Sequence, residues 1–219
     1  MISSQIATLD EIFSGGLQNG IITEISGLRG TGKTQLALQF AIEPLKNNKK
    51  ILFIDTTVEF RPERFLQMLQ SRNLPTSLLD NLHISRVTNT QKQIDILKNF
   101  NDEDFSLLII DNIADLFSFE YSKKEHIIKK NINFGNYILT ISKLAFSKNI
   151  PIIITNQIFS HDDTNYHRMH THLENYVHQK IQLEKIKKIH TCKVLSPFIS
   201  ETKFHYKITN SGIEETESI

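Results

Sequence analysis

The chain of 219 residues is predicted to be an α/β protein, with a mainly parallel sheet flanked by helices and antiparallel strands at its C-terminal end. Three observations predict this layout. Short apolar runs alternate with longer amphipathic stretches, as they do when strands and helices take turns around a parallel sheet. A GLRGTGKT segment stands between one such run and a helical pattern, where a phosphate-binding loop belongs. The last three strand-like segments follow one another with no helical pattern between them, which suits antiparallel pairing.

In chain order, strands are expected at Ile21–Ile25, Ile51–Asp55, His83–Val87, Leu107–Asp111 and Ile152–Thr155, then near Tyr176–Leu183, Ile189–Leu195 and Phe204–Thr209. Helical patterns occupy 33–43, 61–72, 91–100 and 126–148. The last places Ile128, Ile132, Ile138, Ile141 and Ala145 on roughly one face before Pro151 ends it. The polar, histidine-rich stretch from Ser160 to Asn175 reads as a long loop. There is no internal repeat or low-complexity linker, so one domain covering residues 1–219 is expected.

Composition limits the function classes. A formal net charge of +1 leaves no global field to draw the chain onto nucleic acid or anionic lipid, so any such contact must come from local patches. The single cysteine, Cys192, excludes an internal disulfide and a cysteine-built zinc site, and it reads as a small buried apolar residue. The start MISSQIATLDEIF has no export pattern, and no apolar window is long enough to span a bilayer. A cytoplasmic protein without a membrane partner is expected.

The segment Gly27-Leu28-Arg29-Gly30-Thr31-Gly32-Lys33-Thr34 fits the G-x-x-x-x-G-K-[ST] pattern between a strand and a helix. Its glycines allow successive N–H groups to turn toward a β-phosphate at a helix N-terminus. Lys33 would reach the β- and γ-phosphates and Thr34 would hold Mg²⁺. The expected ATP-binding set runs from Gly27 to Gln35. Such a loop also needs an acid at the end of a neighbouring buried strand, and Leu107-Leu-Ile-Ile-Asp111 supplies it.

At this point the sequence resembles a family. LDEIFSGGLQNGIITEISGLRGTGKTQLALQ, FIDTTVEFRPERF, LLIIDNIADLF and IPIIITNQIF look like successive blocks of the RecA/RadA recombinase core, and SPFISETKFHYKITNSGIEE is similar to its closing strands. Because LDEIF begins at residue 9, the helical DNA-binding domain and the assembly linker that precede the core in RadA are expected to be missing. The resemblance is thus to a core-only archaeal paralogue, an accessory to homologous recombination and DNA repair, with a recombinase or other repair protein as partner. A KaiC-like nucleotide-gated switch shares the loop and strand order, and a DNA-dependent ATPase that exchanges strands itself is the other alternative.

The resemblance assigns further roles. In a block resembling IDTEGTFRPER, the glutamate polarises the attacking water. Ungapped alignment on Asp55-Thr56 and Phe60-Arg-Pro-Glu-Arg64 puts Thr57 at that glutamate, and Thr57 is no base near neutral pH. Glu59 lies two residues on, about 6.6 Å along an extended chain, and serves as a base only if the turn refolds around it. Weak or absent hydrolysis is expected. Arg64 is implied to lie against the adenine, and Gln157 to sense the γ-phosphate. Tyr121, Lys123, Lys124, Lys129 and Lys130 fall where the family's first DNA loop falls, suited to weak single-stranded DNA binding. The segment His161–His178, with Arg168 and histidines at 167, 170 and 172, replaces the glycine-rich second loop; a DNA-facing loop, a histidine-bound metal and an ordinary loop all remain open. The nucleotide cap, resembling DSPxLPE, reads Leu195-Ser-Pro197-Phe-Ile-Ser-Glu201 and lacks its acid and second proline, which argues against a filament of the recombinase kind.

Overall fold

Five parallel strands form the centre of the computed structural model: β1 (Ile22–Gly27), β2 (Lys50–Asp55), β3 (Leu82–Arg86), β4 (Phe105–Asp111) and β5 (Ile152–His161). Their residues alternate between two cores. In β2, Ile51 and Phe53 join one buried cluster and Leu52 and Ile54 the other. Both faces of these strands are therefore apolar, the signature of a sheet covered on each side. The structure describes residues 1–100, 104–161, 164–167, 169–196 and 199–216.

Four further strands extend the sheet: β7 (Gln179–Ile186), β8 (Ile189–Ser196), β9 (Ile199–Thr209) and β10 (Gly212–Thr216), and a short β6 (Thr164–His167) pairs with β5 alone. The order is β10-β9-β8-β7-β1-β5-β4-β2-β3. Pairing is parallel as far as β1–β7 and antiparallel beyond it, as expected. On one face lie α2 (Lys33–Lys46) and α3 (Pro62–Ser71), whose Leu36, Phe40, Phe65 and Met68 pack on the sheet. On the other lie α4 (Thr90–Asn99), α5 (Asp115–Glu120) and α6 (Ile127–Lys148). A short α1 (Ala7–Ile12) precedes β1, and its Asp10 accepts from the backbone of Ser4 at 2.7 Å and Gln5 at 3.1 Å.

The predicted elements are present, with three corrections. Ser160–Asn175 is not one loop: β5 runs on to His161, β6 folds back on it, and α7 (His170–Leu173) follows. Pairing supplies the backbone hydrogen bonds that so polar a sequence does not advertise. Ile128 and Ile132 do not share the core face of Ile138 and Ile141; they point to solvent. The short elements α1, α5 and β10 carried no periodic signal, being about six residues or fewer.

The register decides what stands at the carboxyl edge of the sheet, where ligands of open α/β folds bind. Asp55 pairs with Asp111, Ile25 with Thr155, and Gly27 with Gln157. Residues from four strands thereby meet in one row.

Candidate nucleotide site

The phosphate loop is built by contacts on both sides. Gly27 closes β1 so near to β7 that a Cβ there would lie 2.4 Å from the carbonyl oxygen of Leu183, which no other residue permits. Gly32, at φ +96°, makes the left-handed turn into α2. Thr31 is fully buried, its hydroxyl donates to the carbonyl of Leu28 at 2.9 Å, and its own carbonyl accepts from the Tyr206 hydroxyl at 2.6 Å. The loop is thus held from β9 as well as from its own strand.

Lys33 Nζ donates to the carbonyls of Gly27 and Leu28, each at 3.0 Å. Burial lowers its pKa, and the nearby carboxylates of Asp111 and Glu59 oppose that shift. Beside it, Thr34 Oγ1 donates to Asp111 Oδ2 at 2.7 Å, and the Thr155 hydroxyl donates to Oδ1. Burial raises the Asp111 pKa, while these two hydroxyls and Lys33 pull it back. A hydroxyl and a carboxylate side by side are hard oxygen donors of the kind Mg²⁺ takes, so the pair fits that ion.

A cavity of about 570 Å³ opens over these groups. It brings together Arg29, Gly30, Gly32, Lys33, Thr34 and Gln35 from the loop with Arg64, Asp111 and Gln157. Sequence reasoning missed five of its lining residues, the polar Thr56, Asn112, Asp115 and Thr155 and the apolar Ile208. Arg64 does not swing freely at the rim. Its guanidinium donates to Gln35 Oε1 at 2.6 Å and to the carbonyls of Thr209 and Asn210 at 2.6 and 3.2 Å. Asn156 lies inside the strand row instead, its side-chain amide donating to the buried Glu24 at 2.9 Å.

The turn after β2 hangs from the buried carboxylate of Asp55. Its Oδ1 accepts from the backbone and hydroxyl of Thr57, both at 3.2 Å, and its Oδ2 from the backbone of Phe60 at 3.1 Å. Val58 has φ +58°, a conformation costly for a β-branched residue and free for glycine. The resembling block has glycine at that place. Thr57 faces the cavity, as does Glu59, whose carboxylate is drawn onto Arg29 at 2.6 Å; the two side chains are 59% and 79% exposed.

The nucleic-acid candidates lie elsewhere. Lys123, Lys124 and Lys129 are exposed around the start of α6 and Lys130 is half-buried. The Tyr121 hydroxyl accepts from Asn133 at 2.8 Å and its ring lies over Phe117, so it belongs to the edge of the core. Arg168, Pro197 and Phe198 lie outside the described residues. Among the described residues no group of histidine, cysteine and acidic side chains is arranged for a metal, Cys192 is buried, and no helix is long and apolar enough to cross a membrane.

A phosphate loop on β1, an acid ending β4 and a polar residue of β5 beside the end of β1, on a mostly parallel sheet, define a RecA-like P-loop core. The Rad51 family model matches residues 1–216, and the chain belongs to that family. It is 30% identical over 228 residues to the DNA repair and recombination protein RadB of Thermococcus sibiricus, an alignment covering 100% of this chain and 97% of the relative. RadB of Thermococcus onnurineus is 28% identical over 98% of the chain and 97% of its own length. RadA of Cenarchaeum symbiosum is 30% identical over 75% of the chain but only 44% of its own length, so this chain spans about half of such relatives.

Proposed function

We propose that the chain binds ATP with Mg²⁺ in this cavity, hydrolyses it slowly or not at all, and acts in DNA repair and homologous recombination as a nucleotide-dependent accessory to a recombinase or other repair protein. One arrangement supports the reading: Lys33, Thr34 and Asp111 line a single cavity, Thr34 donating to Asp111 at 2.7 Å, while Thr57 stands at the position of the resembling block's glutamate. When bound, Mg²⁺ would be held by Thr34 and Asp111 and would neutralise phosphate charge. The chain's own groups would then supply binding with no carboxylate at residue 57: Lys33 would offset the γ-phosphate, Arg64 would offer a fixed planar face to the base, and Gln157 would respond to the γ-phosphate. Loss of a positioned base costs about 10²- to 10⁴-fold in rate. Glu59, at the exposed rim of the cavity, is paired with Arg29 at 2.6 Å.

Weak contact with single-stranded DNA through Lys123, Lys124, Lys129 and Lys130 belongs to the same reading. So does a cytoplasmic location, which matches the family's role on DNA. ATP binding by calorimetry and turnover with and without single-stranded DNA test the proposal together. Tight binding with negligible turnover in both cases is expected. Brisk DNA-stimulated turnover would make the chain an active recombination ATPase instead.

A further inference from the structure

The helix α6 is apolar on two opposite faces. Phe134, Tyr137, Ile138, Ile141, Leu144 and Ala145 are buried against the sheet. At about 100° per residue, Ile128, Ile132, Leu139 and Phe146 fall within an arc of roughly 40° on the far side. These four are 73%, 57%, 37% and 84% exposed. A helix that is hydrophobic all round is ordinarily a buried one, and a continuous exposed apolar stripe marks a contact surface. The stripe is about 27 Å long, the length of a five-turn helix. Midway along it, Gly135 presents no side chain, and a cavity of about 400 Å³ opens there between α6 and α7, lined by Asn136, Leu139, His172 and Tyr176. His172 Nδ1 is buried without a hydrogen-bond partner. The stripe therefore has a notch for a protruding side chain.

Charge says what kind of partner fits. Between Glu125 and Asp162 the sequence contains no acidic residue, while Lys129 and Lys143, both exposed, flank the stripe on one side. We propose that this face docks an acidic amphipathic helix of another protein, whose apolar side covers Ile128, Ile132 and Leu139 and whose carboxylates meet Lys129 and Lys143. A second copy of the chain fits poorly, because like faces would set these lysines against each other. Of the four stripe residues only Phe146 offers a ring for bases to stack on, so a nucleic-acid strand gains little from the rest of the stripe, and the acidic helix and single-stranded DNA would compete for Lys129. The face is separate from the nucleotide cavity, so the proposal stands whether or not nucleotide is bound.

A fluorescein-labelled synthetic peptide of about 18 residues, with leucines at helical three-and-four spacing and glutamates elsewhere, tests this by fluorescence anisotropy on the full chain. Saturable binding that weakens with added salt is expected. A peptide of the same composition with the leucine spacing scrambled should bind far less. Replacing both isoleucines, Ile128→Ser with Ile132→Ser, should cost more than about tenfold in affinity, and Lys129→Ala with Lys143→Ala should flatten the salt dependence. All four positions are exposed, and an unchanged unfolding midpoint confirms that each variant folds. Absence of binding by the wild type, or equal binding of the scrambled peptide, would overturn the proposal. So would a concentration-dependent dimer that the double isoleucine variant dissociates, or a labelled oligo-dT strand that this variant fails to bind.

Discussion

Thr34 and Asp111, 77 residues apart in sequence, share a hydrogen bond of 2.7 Å at the carboxyl edge of the sheet, with Thr155 holding the other carboxylate oxygen. Burial raises the Asp111 pKa, so its charge is a cost to the protein until a cation offsets it. Asp111→Asn should therefore leave the unfolding midpoint of nucleotide-free protein unchanged or higher. The same substitution should abolish the gain in ATP affinity that Mg²⁺ provides, measured by calorimetry with and without the metal. A metal-dependent affinity that survives would remove Asp111 from the site.

Lys33 follows the same logic with the opposite charge. Its folded-state pKa lies below the unfolded one because of burial. Below the folded pKa the lysine is charged in both states, so the burial cost is fully present; it is relieved as pH rises through that value. Near neutral pH, Lys33→Ala should thus not lower the thermal midpoint of the nucleotide-free protein. It should remove most of the stabilisation that saturating ATP gives the wild type.

The turn beyond β2 yields the sharpest test of turnover. Asp55 anchors it and Val58 follows a glycine-like path, so a glutamate at residue 57 should point into the cavity. Thr57→Glu is expected to raise the hydrolysis rate by up to about 10²- to 10⁴-fold, whereas Glu59→Gln, which frees Arg29, should change it little. Ready wild-type turnover that Glu59→Gln stops would instead make Glu59 the base.

Nucleic-acid binding should be weak, favour single strands and fall steeply with salt. Replacing Lys123, Lys124, Lys129 and Lys130 by alanine should flatten the slope of log affinity against log salt. An unchanged slope would place the contact on other residues.

Tyr206 is a structural support rather than a ligand. Tyr206→Phe leaves the buried Thr31 carbonyl without its 2.6 Å donor, a loss of about 1–3 kcal/mol. For a chain of this size each 1 kcal/mol lowers the midpoint by about 2–4 °C. A drop in that range, with ATP affinity falling in parallel, is expected from thermal unfolding and calorimetry.

What the sequence determined on its own is local chemistry and period. GLRGTGKT between a strand and a helix, the apolar run ending in Asp111, and Thr57 in an otherwise matching block are readable because each depends on spacing along the chain. The parallel strands are legible for the same reason, since both of their faces are buried. Tertiary structure alone decided which side chains meet. Thr155 reaches Asp111 because β5 lies beside β4, and Tyr206 reaches Thr31 across 175 residues because the order β9-β8-β7-β1 brings the closing strands over the phosphate loop. Glu59 binds Arg29 because the β2 turn overhangs that loop. The facing of Ile128 and Ile132 was equally out of reach. Apolar periodicity identifies a helix but cannot say which of two apolar stripes the sheet will cover, because the choice rests on how the whole helix packs.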